Sequence, residues 1–170
     1  MVYGNTEVMT KVYFIMGVSG CGKSTIGQLL ANALEVPFFD GDDFHPQSNI
    51  DKMSQGIPLA DEDRQPWLEA IHDFVGDHLK NQSLVVACSA LKQIYRDTLE
   101  QNMIDQVQWI WLDGTQQAIL KRLEKRADHF MPTALLQSQF QTLEPPQQSL
   151  QLNIEKSPAE LVAEALNLLR

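Results

Sequence analysis

Gly17-Val18-Ser19-Gly20-Cys21-Gly22-Lys23-Ser24 decides how the rest of this chain is read. The stretch fits G-x-x-x-x-G-K-[ST] at every fixed position. Glycines let the backbone turn sharply, so successive N–H groups can point inward at phosphate oxygens. The apolar run before it, 12–16, reads as a strand, and 23–34 reads as a helix. That helix adds the positive end of its dipole and its unpaired amides. In this setting Lys23 reaches the β- and γ-phosphates of ATP, and the Ser24 hydroxyl ligates Mg²⁺. The expected ATP-binding residues are therefore Gly17, Val18, Ser19, Gly20, Cys21, Gly22, Lys23, Ser24 and Thr25.

Outward from this loop, short apolar runs alternate with longer amphipathic ones. Strands are expected at 12–16, 37–40, 84–88, 107–112 and 150–154. Helices are expected at 23–34, 63–80, 91–100, 115–126, 133–143 and 158–169. Strands that are apolar throughout belong to a sheet covered on both faces, and strand–helix alternation makes that sheet parallel. The fold class is a doubly wound α/β domain, with ligands beyond the carboxyl ends of its strands. Residues 1–10 read as a loose tail and 11–170 as a single domain, since no repeat or long linker divides the chain of 170 residues.

The formal net charge of −9 argues against general affinity for nucleic acid or an anionic membrane. No run is long enough to cross a bilayer, and the N-terminus has no signal-peptide pattern. Cys21 and Cys88 are too few for a disulfide framework and read as buried thiols. The expected compartment is the cytoplasm.

A phosphate loop alone does not make a kinase, because switches and motors carry it too. Those hold Mg²⁺ with an aspartate ending a later strand; here 84–88 ends without one, and Asp113 is a weak candidate. The better-placed carboxylate is Asp40, after the second strand, in Asp40-Gly41-Asp42-Asp43-Phe44-His45-Pro46. Asp42, two residues on, shares a side with Asp40 if the segment is extended. One can serve the metal while the other accepts the proton of an acceptor hydroxyl. Downstream, Asp61 or Asp63 can cap the next helix, and Pro66 is tolerated in its first turn. Arg64 offers a rigid fork for a carboxylate, or a salt bridge to Asp61 or Glu62. Trp67 reads as core. Lys92 and Arg96, four apart, share a helix face that suits an anionic substrate or is simply solvated.

Together GVSGCGKS, DGDDFHP, NIDKMSQGIPLADEDRQPWL, CSALKQIYR and HFMPTALLQSQFQTLEPP resemble the gluconokinases over nearly the whole chain. The block 40–68 is the most specific part. Shikimate and adenylate kinases share the phosphate loop without that block. The resemblance implies a three-layer P-loop NTPase fold, with a five-stranded parallel sheet flanked by helices and a mobile lid at about 123–132. It implies transfer of the ATP γ-phosphate to the 6-hydroxyl of D-gluconate, with Asp42 orienting or deprotonating that hydroxyl and Asp40 in the Mg²⁺ shell. It makes Lys23, Asp42 and Arg126 the catalytic set. His45, Arg64, Lys92, Arg96, His129 and Gln139 become candidates for the substrate's hydroxyls and carboxylate, and Arg122 and Arg126 for ATP phosphates. Ala127-Asp128 depart from the family pattern in the lid, where His129 also reads as a surface histidine. Many gluconokinases are homodimers. The competing readings are a related kinase for shikimate or another sugar acid, and a nucleotide-binding regulator without turnover.

Overall fold

The computed structural model describes residues 9–125 and 133–170. Five parallel strands form one sheet in the order β2-β3-β1-β4-β5. They are β1 (Val12–Met16), β2 (Phe38–Asp40), β3 (Leu84–Ala87), β4 (Val107–Asp113) and β5 (Leu150–Asn153). The helices are α1 (Lys23–Leu34), α2 (Gln47–Ser54), α3 (Asp61–His78), α4 (Gln93–Glu100), α5 (Gln116–Glu124), α6 (Thr133–Thr142) and α7 (Pro158–Leu168). The expected fold class stands.

The core explains the apolar strands. Val12, Phe14 and Met16 of β1 pack with Trp67, Leu68, Ile71 and Val75 of α3 and with Tyr95 and Leu99 of α4. Ile15 faces the other way, with Ile26 and Leu30 of α1 and Leu161, Val162 and Ala165 of α7. The central strand β1 therefore buries both faces, and hydrophobic burial holds three layers together.

β1 lies in the middle, paired with β3 on one side and β4 on the other. The connection after β1 runs to β2 on one side and the connection after β3 crosses to β4 on the other, which opens a crevice beyond the carboxyl ends of these central strands. The phosphate loop follows β1 at that point, and Gly17 N–H donates to Ser89 O at 3.4 Å, just beyond β3.

Several local expectations are corrected. The acceptor segment is not extended past Asp40 but coils into a 3-10 turn, Gly41–Phe44. Helix α2 follows, where the sequence offered only loop. Helix α3 begins at Asp61 with Ala60 as N-cap, and Asp63 at the third position accepts from Ala60 N–H at 2.9 Å. Ala60 has no side-chain oxygen to return that bond. The earlier start moves Pro66 beyond the first turn, where it removes a helix bond. Residues 1–8 of the expected loose tail lie outside the described residues, and at its end Thr10 Oγ1 donates to Leu79 O at 2.6 Å. Arg126, His129, Ala127, Asp128 and most of the expected lid lie outside the described residues. Among the described residues, no helix is long and apolar enough to cross a membrane.

Candidate active site

The loop from Gly17 to Gly22 runs from β1 into α1. Gly17 has φ +149°, and a Cβ there would stand 2.9 Å from Leu112 O and 2.7 Å from Cys21 Sγ. Only glycine fits so close to the backbone of β4. Lys23 Nζ donates to Gly17 O and Val18 O at 3.1 Å each, so the ammonium curls over its own loop. Arg122 of α5 donates to Cys21 O at 3.4 Å and also to Ile154 O. Thr25 is exposed on the first turn of α1. Cys21 and Cys88 are buried and free, as the sequence implied, and burial pushes the Cys88 thiol up to about 12.

One carboxylate joins the loop to the acceptor segment. Ser24 Oγ donates to Asp40 Oδ2 at 2.9 Å, and Asp42 N–H donates to Asp40 Oδ1 at 3.0 Å. The 3-10 turn after β2 thereby lifts Asp42 toward the phosphate loop. Asp42's side chain is 78% exposed, open to an incoming ligand. The surrounding cleft nevertheless desolvates it enough to raise its pKa, with Asp40 and Asp43 adding to the rise and Lys23 opposing it. A raised pKa makes a carboxylate a better proton acceptor. Among the described residues no cluster of three or more His, Cys, Asp or Glu side chains could hold a metal. A hydroxyl and one carboxylate on neighbouring positions do fit Mg²⁺, which takes one or two protein ligands and fills its shell with water and phosphate oxygens. Asp113 points elsewhere, accepting from Gln151 Nε2 at 2.7 Å on β5.

Beyond Asp42, His45 is almost enclosed. Its ring stacks on Trp67 with centroids 4.1 Å apart, and Trp67 Nε1 donates to Gly41 O at 2.7 Å. Trp67 is core, as read from sequence, and it also sets the floor under the acceptor segment. Burial, helped by the Arg64 charge, lowers the His45 pKa to about 4. The imidazole is therefore neutral near pH 7.

The remaining sequence candidates divide. Arg64 makes neither of its expected salt bridges. It donates to the phenolic Oη of Tyr95 at 3.0 Å and to Leu59 O at 2.5 Å, and its guanidinium stands 5.2 Å from the Tyr95 ring centroid. Tyr95 O–H in turn donates to Asp61 at 2.5 Å, and Lys92 Nζ donates to Asp61 at 3.0 Å. The Tyr95 bond first, and then the Lys92 ammonium, hold the Asp61 carboxyl below its ordinary range. Arg64 and Lys92 thus meet on one carboxylate–phenol pair. Arg96 does not join them: it is 1% exposed and donates to Ala90 O at 2.6 Å and Glu144 O at 2.8 Å. The shared-face expectation fails because Lys92 is the N-cap of α4, outside the helix. Gln139 sits on the phosphate loop instead of the acceptor segment. Ser19 N–H donates to its Oε1 at 2.7 Å, and its Nε2 donates to Ser19 Oγ at 2.9 Å. Sequence reasoning passed over Asn49, Asp61 and Tyr95 as site residues. Asp61 had entered only as a cap or ion-pair partner, and the alternative to a cap is visible only once Tyr95 is near it.

Fold and site together define an ATP-dependent small-molecule kinase built on a phosphate loop. The family profile described as shikimate kinase matches residues 19–165. The thermosensitive gluconokinase of Escherichia coli (strain K12) is 53% identical over 136 residues, 79% of this chain and 72% of that protein. The gluconokinase of Arabidopsis thaliana is 43% identical over 95% of this chain and 97% of its own length. The crystal structure of a gluconokinase from Sinorhizobium meliloti 1021 superposes with a TM-score of 0.85 at 42% identity, covering 94% of this chain and 91% of that one. The chain belongs to the gluconokinases and carries a shikimate-kinase-family domain.

Proposed function

We propose that this protein transfers the γ-phosphate of ATP to the 6-hydroxyl of D-gluconate, giving 6-phospho-D-gluconate and ADP. The observation that carries the reading is the Asp40 bridge, which joins Ser24 of the phosphate loop to Asp42 of the acceptor segment. The loop amides and Lys23 grip the triphosphate, while Asp42 takes the proton of the acceptor hydroxyl. The hydroxyl oxygen forms a bond to the γ-phosphorus as the bond to the bridging β–γ oxygen breaks, and ADP leaves with that electron pair. Ser24 and Asp40 would hold Mg²⁺, which when bound neutralises charge on the phosphate oxygens. Arg64 and Lys92 supply cations for the sugar-acid carboxylate. Arg122 supports the loop from behind, and Arg126 and His129 keep the phosphate and substrate roles that the resemblance implies. The compartment is the cytosol, where Cys21 and Cys88 stay reduced.

The test is ADP release with D-gluconate, other sugar acids, shikimate and nucleoside monophosphates as acceptors. Gluconate is expected to be preferred, and Asp42→Asn to lower its kcat by roughly 10²–10⁴-fold with ATP affinity retained. Equal rates across the panel, or a collapse of ATP affinity at unchanged kcat, would reject the assignment.

A further inference from the structure

His45 is held on three sides. One face stacks on Trp67 at an interplanar angle of 14°. Nδ1 lies 3.2 Å from Asn49 Nδ2, and Nε2 lies 3.9 Å from Asp42 Oδ1. The proton of a neutral imidazole resides on whichever nitrogen its surroundings leave as the donor. Those surroundings are unusually decisive at this ring.

Asn49, on α2, is 1% exposed, and its Nδ2 donates to Asp63 O at 2.8 Å. A backbone carbonyl only accepts. Turning the amide over would set Oδ1 against that carbonyl, two acceptors face to face with no water between them. Nδ2 therefore keeps its place, and its second hydrogen points at His45 Nδ1. A donor there requires a lone pair on Nδ1. The ring proton is left on Nε2, the nitrogen beside Asp42.

We propose that Asn49 is a positioning residue that fixes the neutral Nε2–H tautomer of His45, and that this N–H donates to the oxygen of the acceptor alcohol whose proton Asp42 takes. The second half rests on the role given to Asp42 above; the first half does not. An oxygen at about 2.8 Å from both atoms fits as the apex of a triangle on the 3.9 Å separation between them. One of its lone pairs accepts from His45, its hydrogen goes to Asp42, and the other lone pair is left free to attack. An imidazolium would turn Nδ1–H against the Asn49 N–H, so the same contact disfavours the cation. The lowered His45 pKa agrees with this. Other charges close by are Arg64, which disfavours the cation, and the Lys52–Asp63 pair behind Asn49, with Nζ 2.9 Å from Oδ1.

The direct test is a two-bond ¹H–¹⁵N correlation spectrum of the whole protein carrying ¹⁵N-histidine, with the His45 signals assigned by their loss in His45→Gln. At neutral pH the wild-type ring is expected to show a bare Nδ1 and a protonated Nε2. A protonated Nδ1 overturns the proposal without touching the phosphoryl-transfer reading. Asn49→Asp replaces the donor by an acceptor and should move the ring proton to Nδ1. It should lower kcat on gluconate on the order of 10²-fold while the KM for ATP holds. An unchanged tautomer in that variant removes Asn49 from the role, and a shifted tautomer with unchanged kcat removes the alcohol contact.

Discussion

At the scale of single residues, burying an imidazole leaves a signature that can be read apart from the reaction. His45 is neutral in the folded chain down to about pH 4, whereas the unfolded ring takes a proton near pH 6.5. Between those values the unfolded state binds a proton that the native state refuses, so stability falls as pH drops through the window. Above pH 6.5 both states are neutral and the effect vanishes. A difference of this size destabilises the native state by about 2 kcal/mol at pH 5 and about 3 kcal/mol near pH 4. Urea unfolding of wild type and His45→Gln at pH 7 and pH 5 isolates it. The wild type should lose more between the two pH values than the variant does. Parallel losses would mean that the ring titrates normally in the native protein.

Among elements, legibility followed how much of the pattern is local. β1 and α1 fall where the sequence placed them, because an apolar run, a glycine loop and a helix of alternating burial leave little else. Helix α2 was illegible: only Asn49 is buried in Gln47–Ser54, and distant bonds to Asp63 hold it. A short polar helix of that kind has no propensity signal of its own. The pairing of Lys92 with Arg96 was misread for a related reason. Four-residue spacing places two side chains on one face only within a helix, and α4 starts one residue after Lys92. The 3-10 turn bearing Asp42 was hidden by a glycine whose purpose is close approach, not unusual dihedrals. A Cβ on Gly41 would stand 2.6 Å from Ala87 O and 3.3 Å from Cys88 Cβ. That neighbour is backbone of the sheet and cannot step aside as a flexible side chain could. Gly41→Ala should therefore displace the turn, lowering kcat on the order of 10²-fold and stability by about 1–3 kcal/mol. Steady-state rates together with denaturant midpoints check it. A variant with normal kcat would show that the Asp42 carboxylate does not depend on the seat of this turn.

Over the whole molecule, Arg96 links parts of the chain that the sheet itself keeps apart. β3 and β5 are separated by β1 and β4. Yet the turn after β3 and the connection entering β5 are clipped together: Glu144 N–H donates to Leu91 O at 2.8 Å, and Gln93 N–H to Glu144 Oε1 at 2.9 Å. Arg96 lies within this clip, giving one guanidinium arm to Ala90 O and another to Glu144 O and Gln93 Oε1. Ala90 has φ +45°, a left-handed conformation costly for any residue with a Cβ, and the Arg96 bond helps to hold it. Burial lowers the pKa of this guanidinium, the Glu144, Asp97 and Glu100 charges oppose that only in part, and arginine still stays charged. Arg96→Met keeps most of the side-chain volume while leaving the buried Ala90 carbonyl and the part-buried Glu144 carbonyl without their donor. The expected loss is about 2–4 kcal/mol of stability. Its consequence for catalysis should come through the amount of folded protein, with the KM for gluconate unchanged. If the guanidinium bound the substrate carboxylate instead, KM would rise sharply at undiminished stability. Denaturant unfolding and gluconate titration of the same variant separate the two roles.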